Sequence, residues 1–316
     1  MSIDRPRPVL VIGSANVDVA VATATLPRPG ETVFGDSAAI SVGGKGANQA
    51  VAAAASGAET RFIARTGSDA FGDMVRDELA RRGLPTAQVL AVSEAGTGLA
   101  AIYVEHSGQN CIVVVPGANA HLTPTDIEDA QGSIAAAAIL VLQCEIPHQS
   151  LYRAIDLAKE CGTPVLLNPA PCQGLDLSRV ASSVTYLIPN ESEAAQLLGR
   201  PVESLADAHD AALQLHRLGV TCAIVTLGAR GCVGAWEGTT QHFAAMPVNA
   251  IDTTGAGDAF VGCFAASIAA GLTPSAAIRR AIVYAALSTT RRGAQVSYPE
   301  RAEFEAALAL QPAVNG

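Results

Sequence analysis

Aromatic residues make up only 4% of this 316-residue chain, and basic residues are scarce as well: twenty Lys and Arg against twenty-nine Asp and Glu leave a net charge of −9. Nucleic acids and anionic membrane surfaces require dense positive charge, so neither is an expected partner. Seven cysteines occur without a single C-x-x-C pair. Their odd number and mostly apolar surroundings suit buried free thiols in a reducing compartment, and a cytoplasmic location is expected. After Met1 to Pro8 the apolar run Val9 to Ile12 is too short for a secretion signal or a membrane span.

Several catalytic signatures are also missing. The six histidines form no H-E-x-x-H pattern and none joins a cysteine cluster, which argues against a zinc enzyme. There is no G-x-S-x-G elbow, and the residues after the first apolar run, Gly13-Ser14-Ala15-Asn16, do not form a dinucleotide fingerprint. Gly43-Gly44-Lys45-Gly46 is not a Walker A loop, because Ala39 and Gly46 stand where that loop needs Gly and Ser or Thr.

What is present is apolar, at 49% of residues, and regularly patterned. Val9 to Ile12 is β-branched and apolar throughout, as in a central parallel strand buried on both faces. From Ala138 onward, strand-like runs at 139–142, 164–167, 186–188 and 223–226 alternate with helical stretches near 149–160, 191–198 and 205–218, the pattern of a parallel sheet covered on both sides. Strands near 233–236 and 241–244 follow, and helices near 275–290 and 299–310 close the chain. Helices at 45–56 and 71–82 flank a strand at 61–64, and the alanine runs 52–55 and 135–138 suit close-packed helix. Twice the α/β alternation is interrupted by short alternating pieces, roughly at 17–42 and 97–116, the second a hairpin around Ser107-Gly108. Two such ribbons form a small sheet over the ligand edge of one α/β domain spanning 1–316, a lid.

The chemistry concentrates at Asp252-Thr253-Thr254-Gly255-Ala256-Gly257-Asp258, followed by an apolar, Ala-rich helix. Free amides and the positive end of the dipole at a helix start stabilise phosphate charge, and small residues let the phosphate approach. A carboxylate at the same tip, Asp258, is unfavourable beside phosphate unless it takes a proton from an attacking hydroxyl. The plain alternative is a turn followed by an early-helix acid. Asn16 and Asp18, two residues apart at the end of the first strand, suit hydroxyl binding or a polar turn. Gly44, Lys45 and Asn48 suit a polyhydroxyl ligand or a tight turn. Glu145 follows a strand and either binds a hydroxyl or begins a helix. Asn190-Glu191-Ser192-Glu193 is close to a capping box, and Glu193 also suits a hydrated Mg²⁺. Thr226, Gly228 and Gly231 suit close approach of a nucleotide or a β-turn.

Taken together and in order, Gly13-Ser14-x-Asn16-x-Asp18, Gly43-Gly44-Lys45-Gly46-Ala47-Asn48-Gln49-Ala50, Asn190-Glu191-x-Glu193, Thr226-Leu227-Gly228-x-x-Gly231 and Asp252-Thr253-x-Gly255-Ala256-Gly257-Asp258 resemble the ribokinase family of carbohydrate kinases. The resemblance implies a three-layer α/β core with a mainly parallel central sheet, a small β-sheet lid that serves as a homodimer clasp, and transfer of the ATP γ-phosphoryl group to a sugar 5-hydroxyl. It implies Asp258 as base, with the amides of Ala256, Gly257 and Asp258 after Gly255 as anion hole. Asn16, Asp18, Gly44, Lys45, Asn48 and Glu145 then hold ribose, with Ala100, Ile102 and Val114 of the lid against its apolar face. Asn190, Thr226, Gly228 and Gly231 face ATP and Glu193 the Mg²⁺ shell. Asp252, Thr254, Ser288, Arg291, Gly293 and Ser297 surround an activating monovalent cation, usually K⁺. Ile282 departs from the expected polar or ring-bearing neighbour of the adenine. Two alternatives remain open: a kinase for 2-deoxyribose, adenosine or another sugar or nucleoside, and a non-catalytic sugar-binding regulator that retains the fold.

Overall fold

The computed structural model describes residues 7–107 and 109–311. Gly108 of the expected hairpin turn, most of the Met1 to Pro8 segment, and 312–316 lie outside the described residues. Among the described residues thirteen strands form two sheets. In chain order they are β1 (Val9–Ile12), β2 (Asn16–Thr23), β3 (Gly35–Gly43), β4 (Thr60–Gly67), β5 (Val89–Val92), β6 (Gly98–Glu105), β7 (Asn110–Val115), β8 (Ile139–Gln143), β9 (Val165–Asn168), β10 (Tyr186–Leu187), β11 (Cys222–Thr226), β12 (Cys232–Trp236) and β13 (Thr239–Phe243). The nine-stranded sheet runs β13-β12-β11-β10-β9-β8-β1-β4-β5, parallel except at β11–β12 and β12–β13. The four-stranded sheet runs β3-β2-β6-β7.

Alternation along the large sheet's strands sends side chains to two separate cores. Val9, Val11, Phe62, Val141 and Ile224 face one, and Leu10, Ile12, Ile63, Leu142 and Val225 the other. The first core is covered by α1 (Lys45–Ala55) and α2 (Ala70–Arg81). The chain then crosses to the second with α3 (Pro124–Asp129), α4 (Gln131–Ala136), α5 (His148–Cys161), α6 (Leu177–Val180), α7 (Glu191–Leu198) and α8 (Leu205–Arg217). It returns to the first with α9 (Ala256–Ala269), α10 (Pro274–Ser288) and α11 (Arg301–Ala309). This is the expected three-layer arrangement.

α1 and α9 need close approach, and their composition permits it. A Cβ at Gly262 would lie 2.5 Å from the Gln49 carbonyl oxygen, so the two helices meet backbone to backbone there. That contact brings the beginnings of both helices to the carboxyl edge of the sheet.

The lid is the four-stranded sheet. Asn16 and Asp18 belong to its strand β2 and not to a turn at the end of β1. The register aligns Asp18 with Ala100 and Ala100 with Val114, and Ala20 with Ile102, so the expected lid residues share one face with Asn16 and Asp18. The other face carries Ile40, Tyr103, Val113 and Val115, all exposed. β5, α3 and α4 go beyond the sequence expectation, and α4 ends at Ala136, so Ala137 and Ala138 leave the helix to lead into β8. Of the seven cysteines five are buried, while Cys111 on the lid is exposed and Cys161 half-buried; none is in a disulfide.

Candidate active site

α9 starts where the sequence places it. Gly255 caps it with φ of 74°, a left-handed conformation that a side chain would strain. Ala256 does not contribute a free amide: its N–H donates to the Thr253 carbonyl at 3.2 Å. Among the described residues the amides of Gly257 and Asp258 have no acceptor, and they are the orphan donors of this helix start. No Cβ neighbour crowds Gly257, so the approach to both is open.

The Asp258 side chain is 7% exposed and held on both oxygens. Gln49 Nε2 donates to Oδ1 at 2.9 Å and Asn48 Nδ2 to Oδ2 at 2.9 Å. Burial raises its pKa, against the opposing pull of Lys45 and of these two amides, and Glu145 adds to the rise. The carboxyl also borders a cavity of about 210 Å³ shared with Lys45, Asn168, Asn190, Glu193, Thr226 and Gly257. Asn48, expected against the sugar, is turned instead to Asp258 and to Gln295, whose Nε2 donates to Asn48 Oδ1 at 2.9 Å.

Lys45 is ringed by acid. Burial disfavours its ammonium, but Asp258, Glu145 and Glu193 together outweigh that and raise its pKa above the ordinary lysine value. Glu145 Oε2 accepts from the Lys45 amide at 3.1 Å and from Ser14 Oγ at 2.6 Å, at the dipole-positive start of α1. Asp18 is half-buried, and desolvation together with Glu145 and Asp258 pushes it up to about 6. Its carboxylate crosses directly over Gly43, where a Cβ would lie 2.1 Å from Oδ2; Gly43 is the residue that makes room for it. Gly44 packs as closely on the β1–β2 junction, with its Cβ position 2.8 Å from the Asn16 amide.

The lid joins this cluster through Asn16, which is 4% exposed. Its Oδ1 accepts from Asn119 Nδ2 at 2.7 Å, while Asn119 Oδ1 accepts from the Ala15 amide at 2.9 Å. Asn119 was not legible as a site residue; a buried Asn straight after a lid strand is the signal that marks it.

Asn190 and Glu193 form a complete capping box at the start of α7, each side chain accepting from the other's backbone amide at 2.9 and 2.8 Å. The structural reading of this pair holds, and both residues also border the cavity. Gly228 and Gly231 shape the turn after β11, outside the cavity lining; Gly231 has φ of 87° and packs on the Phe243 carbonyl.

The expected cation loop is knotted by Asp252. Oδ1 accepts from the Thr254 amide and hydroxyl at 2.9 and 2.7 Å, and Oδ2 from the Gly293 amide at 2.8 Å. Ser288 and Ser297 turn their hydroxyls to the carbonyls of Ala285 and Ala294, and the Arg291 side chain leaves for Glu303. Backbone oxygen is what these residues offer a cation, and among the described residues no three acidic, His or Cys side chains gather as a metal cluster. Three carboxylates, Asp258, Glu145 and Glu193, bear on one ammonium, and with Asp18 acting on two of them they are a poor resting place for a polyphosphate by themselves. They fit a site completed by cations, and Glu193 at the cavity wall suits a hydrated Mg²⁺.

A carboxylate and free amides at one helix tip, facing a cavity, can deprotonate an alcohol and stabilise a transferring phosphoryl group. Comparison with known proteins agrees. The model of the pfkB family of carbohydrate kinases matches residues 7–301. A deoxyribokinase of Salmonella typhi is 38% identical over 303 residues, covering 96% of this chain and 99% of that protein. A ribokinase of Haemophilus influenzae is also 38% identical, over 297 residues, covering 94% of this chain and 97% of that protein. Among solved structures, an Arabidopsis thaliana ribokinase complexed with ribose and ATP superposes with a TM-score of 0.89 at 32% identity, covering 96% of this chain and 99% of that one.

Proposed function

This chain belongs to the pfkB family of carbohydrate kinases, and on that premise we propose that it uses ATP to phosphorylate D-ribose at the 5-hydroxyl, giving ribose 5-phosphate. The observation that carries the reading is the tip of α9, where the buried Asp258 carboxyl and the free Gly257 and Asp258 amides lie within one cavity with Lys45. Asp258 takes the proton of the 5-hydroxyl as its oxygen bonds to the γ-phosphorus and the bond from that phosphorus to the bridging oxygen breaks. Burial raises the Asp258 pKa above that of an ordinary carboxylate, which makes it the stronger proton acceptor. The two amides and the Lys45 ammonium meet the charge on the transferring group. Asn16, Asp18 and Glu145 orient the sugar from lid and core, and the lid excludes water.

Asn190, Glu193 and Thr226 face the nucleotide in this reading, with Gly228 and Gly231 at the turn beyond them. Glu193 would hold a hydrated Mg²⁺, which would neutralise charge on the phosphates, and the loops around Asp252 and Gly293 would hold an activating K⁺. The exposed apolar face of the lid, Ile40, Tyr103, Val113 and Val115, suits a second copy of the chain, a homodimer clasp. No described helix is long and apolar enough to cross a membrane. A cytoplasmic enzyme acting on a small sugar fits this reading.

A second reading, 2-deoxyribose as the substrate, is favoured by the equal identity to the deoxyribokinase. An ATP-coupled assay over ribose, 2-deoxyribose, fructose and nucleosides, with and without K⁺, separates them. A site built around the 2-hydroxyl rejects the deoxy sugar by a factor on the order of 10⁴ in kcat/KM. Equal or higher kcat/KM for 2-deoxyribose would replace the ribose assignment.

A further inference from the structure

Asp258 is fixed by more than its two immediate neighbours. The Ile188 carbonyl, at the end of β10, can only accept, and it accepts from Asn168 Nδ2 at 2.8 Å. Asn168 must then turn its Oδ1 the other way, where it accepts from Gln49 Nε2 at 3.0 Å. The second hydrogen of that same Gln49 NH₂ goes to Asp258 Oδ1 at 2.9 Å. Gln49 Oε1, facing away, accepts from Gln143 Nε2 at 2.6 Å, and Gln143 is fully buried against Gly13, where a Cβ would strike its Oε1. Each amide has one workable orientation because a backbone carbonyl sets the first. Gln49 is itself fully buried in the Ala-rich α1, where an unpaired amide would be costly.

We propose that Gln49 is a positioning residue for Asp258: a one-directional amide relay from the Ile188 carbonyl through Asn168 and Gln49 aims the carboxylate at the cleft and presents it only with donors. The inference rests on the kinase reading, in which Asp258 is the base. A donor on each oxygen favours the ionised form, so the relay opposes the burial that raises the Asp258 pKa. Without it the carboxyl would keep only the Asn48 donor and be protonated over more of the working range. The other charged and titratable groups that bear on Asp258 are Lys45 from α1, Glu145 after β8, Asp18 from the lid, Glu193 from α7 and Tyr298, whose hydroxyl donates to the Gly255 carbonyl. None of them touches the relay amides.

The test is the pH profile of kcat in Gln49→Leu and in Asn168→Leu, beside wild type. Losing one hydrogen bond to a carboxylate moves its pKa up by about one unit. In Gln49→Leu the acid limb therefore shifts up by about one pH unit, so kcat falls roughly tenfold at pH values below the limb and little above it, with sugar KM within about twofold of wild type. Asn168→Leu, which keeps Gln49 but releases its far end, shifts the limb the same way by less, and it carries the test if Gln49→Leu does not fold. The ionisation is also read without turnover, from the side-chain ¹³C carboxyl resonance that Asp258→Asn deletes; it titrates at higher pH in both variants. A limb and a carboxyl titration that stay at their wild-type positions while kcat drops would reduce Gln49 to a packing residue and overturn the relay. A wild type that phosphorylates no sugar of the panel would remove the kinase reading instead, and the resonance would still decide the relay.

Discussion

The two walls of the cleft are built on opposite principles. On the core wall Asp258, Asn48, Gln49 and Gln143 are buried and their side chains are bonded to one another, and the helices that carry Asp258 and Gln49 meet backbone to backbone. On the lid wall every residue of β7 is exposed, as is β3 from Gly35 to Ile40, and four strands hold together mainly by ladder hydrogen bonds. Positional precision comes from groups with no alternative partner, and adaptability from groups with few neighbours. In the proposed reaction, proton transfer and charge stabilisation fall to the first wall and much of the sugar grip to the second.

If that division is right, substitutions on the core wall change kcat and those on the lid change KM or assembly. The largest effect is expected from Asp258→Asn, which keeps the shape and removes the base: kcat falls by at least ~100-fold with sugar KM nearly unchanged. Turnover near wild type would take Asp258 out of the base role. Replacing K⁺ by a large organic cation is next. The Asp252–Gly293 contact couples the late loop to the start of α9, so activity is expected to drop, by less than in Asp258→Asn. Equal rates in both salts would count against the cation loop.

Asp18→Asn sharpens the lid side. Its sugar KM rises about tenfold with a smaller change in kcat, as for one charge-assisted hydrogen bond. The sign of its effect on stability is opposite. Asp18 has a folded-state pKa of about 6 against an ordinary 3.8, so the folded protein binds the extra proton between those values. The stability it contributes is therefore present at low pH and lost as pH rises through about 6. Asp18→Asn is expected to raise the thermal midpoint at pH 8 by about 2 °C and to lose that gain near pH 4, read by calorimetry. A midpoint gain independent of pH would show that the carboxylate is not the cause. The smallest effect on turnover belongs to Val115→Asp on the outward lid face: a shift to monomer by sedimentation, with kcat/KM down about threefold. A variant that stays the size of wild type would sever the lid from assembly.

Much of this was legible in the residues. Val9 to Ile12 announced a buried central strand because nothing polar interrupts it, and Gly255 to Asp258 announced an anion site because small residues precede an apolar helix. The ribbons of the lid were visible as two breaks in α/β alternation. Short elements were less so: β5 has only four residues, and α3 and α4 six each, too few to set a period. Asn119, Gln143 and Asn168 carried no recognisable spacing, and Gln49 stood in a family motif without a role of its own, though a Gln in an otherwise small and apolar helix is a polar group that points to a partner.

Local pattern and composition, then, determined the layers, the lid and the position of Asp258, because burial periodicity and helix-start chemistry act over a few residues. Which donors reach that carboxylate was decided only by tertiary packing. Asn48 and Asp258 stand 210 positions apart, and Gln49 and Asn168 119 apart. Hydrogen bonds are so short-ranged and directional that such partners are chosen only when α1, α9 and the ends of β8 and β9 have come together.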